Sequence, residues 1–81
     1  MVPEGWLRDP NGRWLLCFMR DPQSSQKLPQ IYMDKWDTSP VGTPNRFVNR
    51  RKVGVTPAIE TWDELINSGW IRITPRLDHV A

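Results

Sequence analysis

The alternation of apolar and polar positions divides the chain into short strands and one helix. Residues 9–12 (Asp-Pro-Asn-Gly) predict a hairpin turn, because Asn-Gly supplies positive-φ residues and aromatic stretches flank the segment. Strands are therefore predicted at 5–8 and 13–20. The second strand is apolar at every position of 14–19, which predicts apolar side chains on both of its faces.

Two more strands are predicted in the middle of the chain. Alternation returns at 29–36, after a polar loop at 21–27. The segment 46–53 reads as a fourth strand and follows a loop at 38–45 that contains two prolines and a glycine. Because this strand is weakly apolar and strongly basic, it is expected near an edge of the sheet.

One amphipathic helix is predicted at about 57–68. Thr56 is a good N-cap, and Pro57 occupies the first helical position, where its missing N–H costs nothing. The apolar residues then fall within about 120° of one another, with the acidic residues on the opposite side. Gly69 is placed to end the helix, and a short last strand is predicted at 70–74.

These elements predict an α+β fold, in which an antiparallel sheet of four to five short strands has one amphipathic helix packed on one face. The 81 residues are expected to form a single small domain over 1–81. Residues 75–81 are expected to be a frayed tail.

The five tryptophans leave two interpretations open, since one short helix covers only part of one sheet face. In the first, a small curled sheet uses them as bulky core residues. In the second, the face left free by the helix carries an exposed aromatic patch, which is typical of a dimer or partner surface. Trp36 is the best single candidate, because it lies between two charged residues where a strand passes into a loop.

The inventory of reactive side chains is poor. The single Cys17 and the single His79 exclude an internal disulfide and every Cys/His zinc pattern. Asp34 and Asp37 are close in sequence, but no partner base or set of metal ligands accompanies them. The chain is therefore expected not to be an enzyme, with no catalytic residue, no metal and no cofactor.

Membrane insertion and export are not predicted. The longest apolar run, 14–19, is far shorter than the roughly 20 residues that a membrane-spanning helix needs. The first residues show no signal peptide, and an unpaired cysteine in an apolar run suits a reducing compartment. A cytoplasmic protein without a membrane partner is expected.

Positive charge is concentrated in the predicted fourth strand. This acid-free segment holds four of the eleven cationic residues, which are Arg46, Arg50, Arg51 and Lys52. Alternation predicts that all but Arg51 share one face, where they could follow a phosphate backbone. Trp36 or Tyr32 could then stack on a base. The alternative is an edge strand protected by charge, a common device of natural sheets.

Two functions follow from these features. The first is a small non-catalytic interaction or regulatory protein, which binds a protein partner or itself through an aromatic sheet face. The second is nucleic-acid binding through the basic strand. The net charge of only +2 and the tryptophan content favour the first.

Three parts of the chain also resemble a known family. They are Gly5-Trp6-Leu7 with 14–21 (Trp-Leu-Leu-Cys-Phe-Met-Arg-Asp), the Arg50-Arg51 pair, and 58–70 (Ala-Ile-Glu-Thr-Trp-Asp-Glu-Leu-Ile-Asn-Ser-Gly-Trp). The family is the domain of unknown function 1651, a group of short proteins from marine cyanobacteria with no established activity. The resemblance implies a cyanobacterial, cytoplasmic origin and assigns no functional residue.

A weaker likeness concerns the order of the elements. A strand ending in Trp36, a loop, a further strand and a helix closing on Gly69-Trp70 resemble the Trp-Gly-Arg domain, a nucleic-acid-binding module. Asp37 and Thr38 stand where that domain has its glycine and arginine. The likeness therefore implies a fold and not a DNA contact.

Overall fold

The computed structural model describes residues 2–75, which form one sheet and one helix. The elements in chain order are β1 (Gly5–Arg8), β2 (Trp14–Arg20), β3 (Gln30–Thr38), β4 (Pro44–Gly54), α1 (Val55–Asn67) and β5 (Ile71–Ile73). Neighbouring strands are antiparallel, and their order across the sheet is β4-β3-β2-β1-β5. The predicted α+β fold is confirmed, whereas residues 76–81 of the predicted tail, which include His79, lie outside the described residues.

Helix α1 covers one face of the sheet. It connects β4 with β5, the two edge strands, and therefore crosses the sheet from one side to the other. Between the helix and the sheet lies a core of side chains that are at most 4% exposed, which are Leu7, Phe18, Ile31, Met33 and, from the helix itself, Ala58. The ring of Trp62 meets Phe18 edge-on at 5.1 Å between centroids. Burying one such large apolar side chain stabilises the fold by about 1.5–3 kcal/mol.

The helix begins two residues earlier than predicted. Gly54, with φ −70° and ψ 174°, is the N-cap, and no side chain caps the first turn. Thr56 is therefore not the N-cap, and Pro57 is the third helical residue. The error has a simple cause: a proline is tolerated throughout the first turn, because those N–H groups have no intrahelical acceptor.

The end of the helix is as predicted. Gly69 adopts φ +98°, and its N–H bonds to the Ile66 carbonyl oxygen at 3.1 Å. The Trp70 N–H bonds to the Leu65 carbonyl oxygen at 3.0 Å, which completes a Schellman motif. This turn directs the chain into β5, and Leu65 and Trp70 both pack against the core.

The first hairpin is present, but only one residue of its turn has positive φ. That residue is Gly12, whose φ is +72°. In the described part of the chain, positive φ occurs only at glycines. The Asp9 carboxylate accepts the Arg13 N–H at 2.7 Å, and the Gly12 N–H bonds to the Asp9 carbonyl oxygen at 3.0 Å. Asp9 is buried, and its side chain and carbonyl oxygen both accept hydrogen bonds that stabilise this turn.

Strand β4 is an edge strand, as expected, but its pairing with β3 is irregular. The register shifts around Trp36, so that Phe47 lies opposite Trp36 while Asn49 lies opposite Lys35. A second shift follows between Trp36 and Thr38, so β4 has one additional residue on each side of the Trp36–Phe47 pair. The one between Phe47 and Asn49 is a bulge that changes the face on which the preceding residues lie. Arg46 is therefore not on the face of Arg50 and Lys52, contrary to the prediction from simple alternation.

Candidate functional site

The face of the sheet opposite α1, here called the open face, carries a row of aromatic side chains. Trp6 on β1 and Trp36 on β3 are 6.4 Å apart between ring centroids. Phe47 on β4 meets Trp36 edge-on at 5.5 Å. These three residues, here called the aromatic row, extend over four neighbouring strands, because β2 lies between β1 and β3.

The aromatic row covers a small second apolar layer. Leu15 lies opposite Trp36 in the β2–β3 register and is 0% exposed, although it points away from the helix-side core. Cys17, the next open-face residue of β2, lies opposite Trp6. The row itself is only partly covered, since Trp6 and Trp36 are half-buried and Phe47 is 47% exposed.

Apolar side chains on neighbouring strands widen this surface. Met19 on β2 and Ile71 on β5 lie on the same face and are both exposed. Ile73 pairs with Trp6 at the β5 edge. The candidate Trp36 therefore lies at the centre of an apolar band, as the second interpretation of the tryptophans requires.

One corner of the open face is polar. Asp34 is buried, and Arg50 on β4 binds it with two hydrogen bonds, from Nε to Oδ1 at 2.7 Å and from Nη2 to Oδ2 at 2.8 Å. The hydrogen bonds to Asp34 raise the pKa of Arg50 above its usual value. The same guanidinium lies 3.9 Å from the ring centroid of Tyr32, so the predicted site residues Tyr32 and Arg50 contact each other.

The remaining candidate cations are distributed differently from the prediction. Lys52 is 3.6 Å from the Asp21 carboxylate, and Arg46 pairs with Asp37 through its Nε at 3.5 Å and its backbone N–H at 2.6 Å. The Gln23 N–H, followed by Lys52, holds the pKa of Asp21 below its usual value. Arg51 lies on the helix side of the sheet, opposite Met33.

Asp34 and Asp37 do not form a carboxylate pair. They are three residues apart on one strand and therefore lie on opposite faces, each bound to its own arginine. The thiol of Cys17 is also unsuited to nucleophilic chemistry, because burial, followed by the nearby Asp34, raises its pKa to about 11.

Two further observations concern the described residues 2–75 as a whole. No three of their His, Cys, Asp and Glu side chains converge as ligands for a metal ion. Their one helix, α1, is too short and too polar to cross a membrane.

Sequence reasoning found the members of the polar corner but missed how they connect. The ion pair between Asp34 and Arg50 joins residues 16 positions apart, and only the β3–β4 register brings them together. It also missed Trp6 and Phe47 as neighbours of Trp36. The available signal was weak: each is an aromatic residue on a strand predicted to lie in the same sheet.

Comparison with known proteins gives a family and no further relative. The search of curated proteins and the search of solved structures each returned no match. The model of the family described as "Protein of unknown function (DUF1651)" matches residues 4–77, which include every element of the fold. The resemblance seen in the sequence is thereby confirmed at the level of the family. The chain belongs to the DUF1651 family.

Proposed function

We propose that this protein is a small non-catalytic interaction or regulatory protein whose open face binds a protein partner or a second copy of the chain. One observation carries the proposal: the aromatic row lies on the sheet face that α1 does not cover. A single helix shields one face of this sheet, and no further helix or strand of the described residues packs on the other.

The chemistry of the open face supports a protein partner. Aromatic residues and methionine are enriched at the centres of protein interfaces, and the aromatic row has Met19 beside it. Tryptophan and phenylalanine lose little side-chain entropy when they are fixed, since each has two rotatable side-chain bonds. Trp6, Trp36 and Phe47 are further held by one another, so the surface is already ordered before binding.

The alternative, nucleic-acid binding through the basic strand, has less support from the geometry. Arg50, Lys52 and Arg46 each pair with a carboxylate, which reduces the positive charge offered to a phosphate backbone. Arg50 covers one side of the Tyr32 ring, where a base would stack. The likeness of the element order to the Trp-Gly-Arg domain would support this alternative.

We also propose, as the family resemblance implies, that the protein acts in the cytoplasm of a marine cyanobacterium. This location is compatible with both functions.

The test compares two serine substitutions of exposed apolar residues. Phe47→Ser removes the outermost ring of the aromatic row, and Ile66→Ser removes a 40% exposed side chain from α1, on the other side of the molecule. Sedimentation velocity and native mass spectrometry measure self-association. Cross-linking in cells, followed by purification and mass spectrometry, identifies a protein partner.

The proposal expects that the wild-type chain forms a dimer or a defined complex, that Phe47→Ser weakens it, and that Ile66→Ser leaves it intact. Circular dichroism confirms that both variants are folded. A wild-type chain that is monomeric and partnerless contradicts the proposal, as does an equal effect of the two substitutions.

A further inference from the structure

The second surface of interest is the free edge of β4. This strand has β3 on one side and no strand on the other within the described residues. Residues 45–52 are all exposed. From Asn49 to Gly54 the pairing with β3 is regular, so this stretch is a straight edge with outward-facing backbone N–H and C=O groups.

Cations border this edge on both faces. Arg50 and Lys52 lie on the open face, and Arg51 lies on the helix side. The bidentate pair with Asp34 uses Nε and Nη2 of Arg50 and leaves its Nη1 hydrogens for a second acceptor. Within the described residues Arg51 makes no ion pair. The sequence contains no acidic residue from position 38 to 59.

We propose that the edge of β4 over Asn49–Gly54 takes up an extended, acidic segment of a partner protein as a sixth strand. The exposed backbone groups would pair with the segment. Its carboxylates would meet Arg51, which makes no ion pair within the described residues, on the helix side, and the remaining Nη1 hydrogens of Arg50 on the open face. A strand directs its side chains alternately to both faces, which matches the distribution of Arg50, Arg51 and Lys52.

The distribution of charge argues against two other occupants of this edge, a second copy of the chain and a nucleic acid. A second copy pairing edge to edge would place this cationic stretch beside its own counterpart, and like charges on paired strands repel. A nucleic-acid backbone is a single line of phosphates, whereas the cations here lie on two opposite faces of the sheet. An acidic strand satisfies both the backbone groups and the charges.

The probe is a fluorescein-labelled peptide, Thr-Val-Glu-Glu-Glu-Val-Thr, titrated at low salt and followed by fluorescence polarisation. Two further peptides of the same sequence are N-methylated at alternate residues, one in each register. Each of these two peptides keeps the charge of the unmodified peptide but loses half of its backbone N–H donors. Amide hydrogen exchange, measured by nuclear magnetic resonance, reports whether the β4 amides become protected.

The proposal expects binding of the unmodified peptide with slower exchange of β4 amides, and binding about tenfold or more weaker for one N-methylated register. Arg51→Glu is expected to weaken binding by a similar factor, while the same charge reversal in the loop between β2 and β3, Lys27→Glu, changes it little. Phe47→Ser keeps the binding, which separates this result from the test of the open face.

Three results would overturn the proposal. The first is absence of peptide binding at low salt. The second is equal affinity for the unmodified peptide and both N-methylated peptides, which indicates attraction by charge alone. The third is tighter binding of a seven-nucleotide single-stranded DNA without protection of β4 amides by the peptide, which assigns the basic strand to nucleic acid.

Discussion

A single ion pair shows how one residue organises the polar corner of the open face. Asp34 is buried at the polar corner of the open face, and a buried carboxylate is costly unless it is paired. Arg50 supplies two hydrogen bonds from the neighbouring strand, and its guanidinium also lies over the Tyr32 ring. Arg50 therefore stabilises the pairing of β3 with β4, in addition to any role in binding.

Arg50→Gln should lower the free energy of unfolding more than Arg51→Gln does. Arg50→Gln leaves the Asp34 carboxylate buried without its cation, whereas Arg51 is exposed and makes no ion pair within the described residues. Urea unfolding followed by tryptophan fluorescence measures the difference as a lower midpoint at unchanged slope. Equal midpoints for the two variants would show that the Asp34 pair adds nothing to the fold.

Cys17 should react slowly with a disulfide reagent in the folded protein. Its pKa is raised from 9.0 to about 11, so the thiolate fraction near pH 8 falls by about a hundredfold relative to an ordinary thiol. The rate with Ellman's reagent should therefore be low at pH 8, rise steeply towards pH 10, and become ordinary in urea. A fast reaction of the folded chain at pH 8 would contradict the burial of this thiol.

At the scale of elements, the helix shows which signals act locally. The amphipathic pattern and the terminating Gly69 predicted α1 and its end correctly, because both depend only on nearby residues. The start was misplaced, because Thr56 and Pro57 fit the first turn in more than one register. Gly54 is both the last residue of β4 and the N-cap of α1. The start of the helix is therefore set by where the pairing of β4 with β3 ends, and not by the local sequence.

Gly69 is the residue on which the end of the helix depends. Gly69→Ala should cost about 1–3 kcal/mol, because alanine is strained at φ +98° and its Cβ would lie 3.2 Å from Pro10 Cγ. Gly54→Ala is the matched control: φ is −70°, the nearest atom to a Cβ is Pro57 Cδ at 3.8 Å, and the change should stay within about 0.5 kcal/mol. Urea unfolding of both variants checks the order, and a larger loss at Gly54 would reverse the assignment.

The face distribution of the basic strand was the part that alternation could not predict. One additional residue at the bulge moves Arg46 to the opposite face, and nothing in the composition of β4 announces it. The register of an edge strand is set by its partner strand. The contact between Arg50 and Asp34 could therefore not be predicted without knowing how β4 pairs with β3. The aromatic row depends on the same register, since the bulge is what brings Phe47 to Trp36.

For the molecule as a whole, both interpretations of the tryptophans apply, each to different residues. Trp62 and Trp70 pack against the helix-side core, whereas Trp6 and Trp36 lie on the open face. Trp14 is on the helix side, with Lys35 Nζ 4.2 Å from the centre of its ring. The sheet thus has one apolar layer under α1 and a second, thinner layer under the aromatic row.

The second layer should contribute to stability like a core. Leu15→Val should cost about 1–2 kcal/mol, close to the cost of Leu7→Val in the helix-side core, since both leucines are 0% exposed. Val41→Ala, at an 83% exposed loop position, should be neutral within about 0.5 kcal/mol. The measurement is the free energy of unfolding in urea for the three variants.

A neutral Leu15→Val would mean that the open face is merely surface. The expected loss would mean that Trp36 packs over Leu15 as part of a core, in addition to the partner contact that we propose for the open face. A substitution of Trp36 would then lower stability and binding together, and neither could be read from the other. Phe47, at the exposed end of the row, is the position where binding can change while the second layer stays intact.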